Sequence, residues 1–370
     1  MKIGFDGKRV TQNFTGLGNY SRYVLKILAE YYPENQYAVF VPKANHNSSY
    51  FPEYPSIHFH FPKNQLIKNY WRSAGIVKDL RKEKIELFHG LSNEIPFGLK
   101  KAGILSVVTI HDLIFYRYPK YYPFLDRKIY EFKIRYASEH ADKIIAVSEQ
   151  TKSDLINFFN VDESRIEVIY QNCDPIFMSE VSEQEKTRIR STYNLPEEFL
   201  LNVGTIETRK NSLLIVKALK KLKDNIHLVI IGKETLYTQV VKDFISNNNL
   251  MSRVHFLKNV SFQDLPGIYQ QASIFIYPSE FEGFGIPVVE ALSSGIPVIA
   301  AKGSCLEEAG GKDSIYVDPN DSDELADQIN LVINNNEKRE FMIRSGFEHI
   351  INFSNQKIAD KLFKLYQNLI

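Results

Sequence analysis

Cysteine is scarce in this 370-residue chain: Cys173 and Cys305 are its only two. Two are too few for a disulfide framework or a thiolate metal cluster, and they fit a reducing compartment. Long apolar runs are also missing. Stretches such as ILSVVTI (104–110) fall far short of the roughly 20 residues that cross a bilayer. The opening MKIGFDGKRV has no apolar leader core, so a cytoplasmic location is expected and the sequons at Asn13 and Asn47 carry no weight. Neither charge dominates, with 45 Lys+Arg against 44 Asp+Glu. No general attraction to nucleic acid or membrane follows from that total, although residues 1–175 are the more basic half, which points either to an anionic or membrane-surface partner or to ordinary fluctuation. No low-complexity tract or short-period repeat is present.

What the chain does contain is alternation. KIGFDG reads as a strand, followed by a glycine loop and then a helix over NYSRYVLKILAEYY; YAVFVP, IHFHF, IELFHG, SVVTIHD, KIIAVSE and IEVIY read as further strands. Ser148 suits the N-cap of the helix that follows KIIAVSE. A second series runs through FLLNVGT, HLVIIG, VHFLK, IFIYP, PVIAA and SIYVD, separated by helical patterns such as SLLIVKALKKL. Such alternation builds parallel sheets covered on both faces. Two series in 370 residues predict two doubly wound α/β domains joined near Asn172–Glu185, with one last amphipathic helix over FSNQKIADKLFKLYQNLI. Ligands of open α/β sheets bind at the carboxyl ends of strands, and the chemistry-bearing residues fall there.

In FEGFGIPVVEALSSGIPVIAA (281–301) two carboxylates interrupt an apolar stretch. The spacing predicts a tight EGFG turn, Pro287 near the helix start, Glu282 in the loop and Glu290 in the first helical turn. Glu290 can cap its own helix and Glu282 can be solvated, or both can accept ligand hydroxyls beside an anion-attracting helix end. Arg209 and Lys210 lie between a strand and a helix, either as a solvated helix start or as cations for a departing phosphate. His111 and Asp112 close the strand SVVTI, and His89 closes IELFHG; for His89 a structural and a functional role stand level. TGLGNY partly matches a dinucleotide fingerprint through Gly16 and Gly18, with Ser21 at the third glycine position, but YAVFVPK supplies no acidic residue for a ribose. Asp321–Asp323 (DSD) read as a helix cap.

YPSEFEGFGIPVVEALSSGIPVIA closely resembles the hallmark of the retaining glycosyltransferases of family 4, the glycosyl transferases group 1. TGLGNY, SVVTIHDL, KIIAVSEQTKSDL, VGTIETRKN, EEAGGKDSIYVDP and the final helix fall in the family's order. The resemblance implies the GT-B architecture: two Rossmann-like domains facing each other across a cleft. It implies an acceptor domain over 1–175, a nucleotide-sugar domain over 176–350 and a helix over 351–370 returning to the first. It implies that Glu290 holds the donor ribose and that Glu282 and His111 contact the donor sugar. Arg209 and Lys210 would take the diphosphate. The amides of Gly283, Phe284 and Gly285 would hold the donor, Gly16 and Gly18 would approach its phosphates, and Asn19 and Asp112 would lie on the acceptor side.

No metal or other cofactor is expected, since basic residues take the diphosphate charge. Thr205 stands where many members carry a further arginine, and Cys173 and Lys258 where glycine is common. The wording of GTIETRKN and HDLIFYRYP is similar to mannosyltransferase-like members. The expectation is therefore a metal-independent, retaining transfer of a hexose, mannose from GDP-mannose, to a polysaccharide or lipid-linked oligosaccharide. A UDP-sugar glucosyl- or galactosyltransferase and a nucleotide-sugar epimerase of the same fold are alternatives; a glycosidase or a non-catalytic sensor fits less well. Two basic, aromatic segments, 63–84 and 116–136, either expose charged faces over buried aromatics or dock on an anionic membrane surface.

Overall fold

A computed structural model of the chain describes residues 1–13, 15–43, 52–64 and 68–370. The Asn47 sequon and residues 65–67 of the first basic segment lie outside the described residues. The chain divides into two compact units, Met1–Gln171 with Ser354–Ile370, and Asn172–Phe353.

Among the described residues the first unit holds seven parallel strands: β1 (Lys2–Asp6), β2 (Gln36–Phe40), β3 (Ile57–His60), β4 (Leu87–Gly90), β5 (Leu105–Ile110), β6 (Lys143–Ala146) and β7 (Ile166–Val168), in the order β3-β2-β1-β4-β5-β6-β7. The second holds β8 (Phe199–Val203), β9 (His227–Ile231), β10 (Val254–Leu257), β11 (Ile274–Tyr277), β12 (Val298–Ala301) and β13 (Ile315–Val317), in the order β10-β9-β8-β11-β12-β13. All thirteen answer to the β-rich runs of the sequence. Their central members are buried on both faces, as β11 and β12 are from end to end, which is why they read as continuous apolar runs rather than alternating ones. Each sheet reverses its winding once, between β1 and β4 and between β8 and β11, and such switch points are where doubly wound sheets take ligands.

The helix Asn355–Gln367 belongs to the first unit. It buries Ile358, Ala359, Leu362, Leu365 and Tyr366, and it packs on the helix Gly16–Tyr31. Tyr32 stacks on Phe363 with ring centroids 3.8 Å apart, and the Tyr23 hydroxyl donates to Asn355 Oδ1 at 3.1 Å. Full burial of such apolar side chains stabilises by about 1.5–3 kcal/mol each, so this segment is part of the first unit's core rather than a tail laid on it.

Candidate functional site

In the second unit the strands at the switch point deliver the acidic and basic residues to one place. β8 runs into the turn Thr208–Lys210, and β11 runs into the loop ahead of the helix Ile286–Ser293. Glu282 Oε1 gathers four groups: Arg209 Nη1 at 2.9 Å, Lys210 Nζ at 3.6 Å, and the hydroxyls of Ser279 at 2.8 Å and Tyr277 at 2.9 Å. Lys210 Nζ also donates to the Tyr277 hydroxyl at 2.8 Å, so one donor chain runs from lysine through tyrosine to the carboxylate. Arg209 Nη2 is braced by Glu207 at 2.7 Å, and Nη1, which meets Glu282, also donates to the Phe281 carbonyl. Glu282 Oε2 meets no protein donor among the described residues.

Burial by itself would raise the Glu282 carboxyl, but Lys210 and Arg209 outweigh it and hold the group down at about 2. Burial likewise opposes both cations. Glu282 and Glu207 nonetheless keep Arg209 above its ordinary value, and Tyr277 and Glu282 do the same for Lys210. All three groups are therefore ionised together across the physiological range. They form a fixed dipolar cluster with one unused carboxylate oxygen.

Glu290 is in a different condition. It is the fifth residue of the helix Ile286–Ser293 and so lies in the second turn, not in the first as the spacing suggested. A carboxylate there lies past the helix's free first-turn amides and makes no cap bond to its own helix. Its protein donor is instead the Tyr269 hydroxyl, 2.9 Å from Oε2. Burial pushes the Glu290 carboxyl up to about 7, with Tyr269 and Lys210 pulling the other way. Cys173 lies close by; its thiol bonds to the Ser293 hydroxyl at 3.3 Å and is pushed up to about 12, chiefly by burial.

The turn between the two glutamates is set by Gly285, whose φ of 111° is open to glycine and whose added Cβ would lie 2.7 Å from Leu306 Cδ2. Phe284 turns inward, buried and edge-on to Phe353 at 5.4 Å. The Cys305 thiol donates to the Glu282 carbonyl at 3.0 Å and ties the loop down. Asp321 caps the helix Ser322–Ile333 by accepting from the amides of Asp323 and Glu324, as DSD predicted. Among the described residues no group of three or more His, Cys, Asp or Glu could hold a metal ion.

In the first unit His111 follows β5 and is buried. Its Nε2 faces the Leu91 carbonyl at 2.9 Å, so this nitrogen carries the proton and Nδ1 is the acceptor. The Tyr20 ring meets it edge-on at 4.6 Å. Burial lowers the imidazole to about 4 against the help of the Leu91 carbonyl, so His111 is neutral and offers a lone pair. Asp112 accepts from the Ile114 amide at 3.1 Å, while Leu91 and Tyr20 set the His111 ring.

His89 is structural. Its Nδ1 meets the Tyr366 hydroxyl at 2.6 Å and its Nε2 meets Thr109 Oγ1 at 2.8 Å, all within the core. Gly16 and Gly18 are not in a loop but open the helix Gly16–Tyr31. Asn13 Oδ1 accepts from the amides of Thr15 and Gly18 at 2.9 and 3.1 Å and starts that helix early. A Cβ on Gly18 would strike the Asn13 carbonyl at 1.8 Å, whereas Gly16 faces open space. The second glycine therefore serves its own turn. Asn19 is exposed, its Oδ1 taking Arg22 at 2.6 Å.

The helix Phe124–His140 does not bury its aromatic side. Phe124, Leu125 and Phe132 are 66%, 69% and 60% exposed, among Arg127, Lys128, Lys133 and Arg135. In the other basic segment Trp71 and Ile76 are buried and Tyr70 is exposed. Among the described residues no helix is long and apolar enough to cross a membrane.

Sequence reasoning missed Tyr277, Ser279, Tyr269 and Glu207. Tyr277 and Tyr269 sit in apolar runs that read as core, and only their partners reveal the polar end of each ring.

Three comparisons bear on this geometry. O-antigen chain mannosyltransferase B of Escherichia coli is 27% identical over the full length of both chains. O-antigen chain mannosyltransferase RfbU of Salmonella typhimurium is 29% identical over 61% of this chain and 63% of its own. Among solved structures, HepE of Anabaena in complex with UDP and glucose superposes with a TM-score of 0.79 at 18% identity, covering 100% of each chain. Sucrose-phosphate synthase of Thermosynechococcus elongatus gives 0.81 at 21%, covering 100% of this chain and 99% of that one. These likenesses give the GT-B fold, with its two Rossmann-like domains. The family model described as Glycosyltransferase Family 4 matches residues 19–175, and the one described as Glycosyl transferases group 1 matches 183–349. Matched in both halves, the chain belongs to the family 4, group 1 glycosyltransferases.

Proposed function

We propose that the chain is a retaining, metal-independent hexosyltransferase whose second unit binds a nucleotide-diphosphate sugar and whose first unit takes the acceptor. The observation that carries this reading is the cluster at the ends of β8 and β11. It holds two half-buried cations on one oxygen of Glu282 while the other oxygen is unspent. A departing nucleoside diphosphate gains negative charge, and cations already held in place lower that barrier without reorganising. Arg209 and Lys210 take this part, so no metal is called for. Glu282 Oε2 accepts a hydroxyl of the donor sugar, Glu290 accepts the ribose hydroxyls, and neutral His111 offers Nδ1 to a sugar hydroxyl. The amides of Gly283–Gly285 support the donor, while Asn19 and Asp112 belong to the acceptor side. Departure of the diphosphate leaves oxocarbenium character on the sugar, and the acceptor hydroxyl attacks from the same face. No side chain acts as nucleophile.

Mannose from GDP-mannose is the donor we assign, because the relatives above are named as O-antigen mannosyltransferases. The acceptor is accordingly a polysaccharide or a lipid-linked oligosaccharide. A UDP-sugar is the second reading, favoured by the UDP complexes of HepE. The exposed apolar and basic face of Phe124–His140 supports docking on an anionic membrane surface.

The test is a thermal-shift panel of GDP-, UDP-, ADP- and dTDP-sugars, since bound ligand stabilises by about 2.7 kcal/mol at 100 times its Kd. GDP-mannose is expected to give the largest shift, and transfer is expected to survive a chelator. No shift with any sugar nucleotide, or activity lost to chelator and restored by metal, refutes the reading. Salt-sensitive sedimentation with anionic but not zwitterionic vesicles checks the membrane face.

A further inference from the structure

Tyr277 ends β11, and its hydroxyl stands between a cation and the carboxylate that attracts it. The phenol oxygen accepts from Lys210 Nζ at 2.8 Å, and its hydrogen goes to Glu282 Oε1 at 2.9 Å. Packing does not require that hydroxyl. Phe275, two residues earlier and so on the same face of β11, stacks on Tyr277 at 5.8 Å, and Tyr269 leans on Phe275 at 5.4 Å. A phenylalanine fills the middle of this strip without a polar atom, and burying a phenol costs free energy unless it is bonded. At Tyr277 it is bonded twice. Burial, then Glu282, raises the phenol well above its ordinary value, so it keeps its hydrogen for Glu282.

Lys210 depends on this contact. An ammonium has three donor hydrogens, and among the described residues Tyr277 is the hydrogen-bond acceptor that Lys210 finds. Glu282 Oε1 lies 3.6 Å away, an ion pair beyond hydrogen-bond reach. Gly204, which follows β8 with a φ of 148°, leaves room for the lysine stem; a Cβ there would stand 3.0 Å from Nζ and 3.2 Å from Cδ. Arg209, by contrast, meets Glu282 directly at 2.9 Å and is fastened by Glu207 and Phe281 as well. Without the Tyr277 hydroxyl, the ammonium is free to close its gap and pair with the carboxylate as Arg209 does.

We propose that Tyr277 is a positioning residue whose neutral hydroxyl holds the Lys210 ammonium off Glu282 and so leaves its other N–H groups for the departing diphosphate. This rests on the reading of the second unit as the donor side. When the anomeric C–O bond breaks, its electron pair goes to the phosphate oxygen, and Lys210 meets that charge without first leaving a carboxylate. The same hydroxyl anchors Glu282 Oε1, so Oε2 remains for the sugar. No proton moves through Tyr277.

Tyr277→Phe and Tyr269→Phe each remove one buried hydroxyl from the same aromatic strip, but Tyr269 bonds Glu290 instead. Release of GDP from GDP-mannose and of UDP from UDP-glucose, without acceptor, is followed at steady state. Tyr277→Phe is expected to lower kcat by about 10- to 100-fold with donor KM within about threefold of the parent's. Tyr269→Phe is expected to raise donor KM and to keep kcat within about threefold. Ligand-free crystals of Tyr277→Phe are expected to show Lys210 Nζ within hydrogen-bond distance of Glu282. Parent-like kcat in Tyr277→Phe, an equal loss of kcat in Tyr269→Phe, or an unmoved Lys210 overturns the positioning role. If the parent releases no nucleoside diphosphate from either donor, the donor reading falls, and the crystals alone decide whether Tyr277 spaces Lys210 from Glu282.

Discussion

Glu290→Gln separates what the second unit needs for binding from what it needs for stability. The carboxyl sits at about 7, mainly through burial, against an ordinary value of 4.5. The folded unit therefore keeps the proton over a range in which the unfolded chain has released it. Stability falls as pH rises from about 4.5 to about 7 and then levels off, because the folded form binds more protons than the unfolded one throughout that window. At about 1.4 kcal/mol per pH unit, the ionised group costs the free protein about 3 kcal/mol at and above neutral pH. Glutamine keeps the shape and still accepts from the Tyr269 hydroxyl, but it cannot ionise.

Thermal unfolding of both proteins without ligand is the assay. At about pH 5 the melting temperatures should nearly coincide, and by about pH 8 the glutamine form should lead by roughly 6–12 °C, at about 2–4 °C per kcal/mol. Its donor affinity should move the opposite way. The parent should bind GDP-mannose more tightly as pH rises through 7, while the variant should bind about 10- to 100-fold more weakly with no such rise. If the glutamine protein melts below the parent at both pH values by the same amount, Glu290 is a charged structural residue and the reasoning fails.

Other substitutions test the neighbouring groups. Arg209→Ala or Lys210→Ala should lower kcat by about 10²-fold or more in steady-state assays, and each also strips a partner from Glu282, so a loss of folded stability should accompany it. Glu282→Gln should reduce turnover far more than donor affinity; kinetics like the parent's would remove Glu282 from the sugar-binding role. Tyr366→Phe leaves His89 Nδ1 buried without its partner and should cost about 1–3 kcal/mol in denaturant unfolding. Nucleotide-sugar binding should be spared.

The alternation of apolar runs with amphipathic stretches was sufficient to place the thirteen strands among the described residues; the central ones, buried on both faces, leave an unbroken apolar signature. Arg209, Lys210 and Glu282 were legible from their positions at strand ends and from the family motif. What stayed hidden depends on partners distant in sequence. His89 could not be judged from LFHG, since its hydrogen-bond partner lies 277 residues later. Tyr277 reads as core in IFIYP because its ring is core; only its hydroxyl joins Lys210 to Glu282. The placement of Glu290 slipped by a turn because the left-handed Gly285 starts the helix at Ile286. Gly16 and Gly18 suggested a loop, yet the Asn13 side chain satisfies enough amides to begin a helix there.

The return of Ser354–Ile370 to the first unit has a consequence for how the protein is made. Residues 172–353 must leave the ribosome before Tyr366 can close over His89. At about 5–20 residues per second that interval lasts on the order of tens of seconds. Throughout it the nascent first unit exposes the groove that its last helix will fill. Chaperone capture and proteolytic nicking during synthesis should concentrate there, and a fragment cut at Gln171 would keep that wound open permanently.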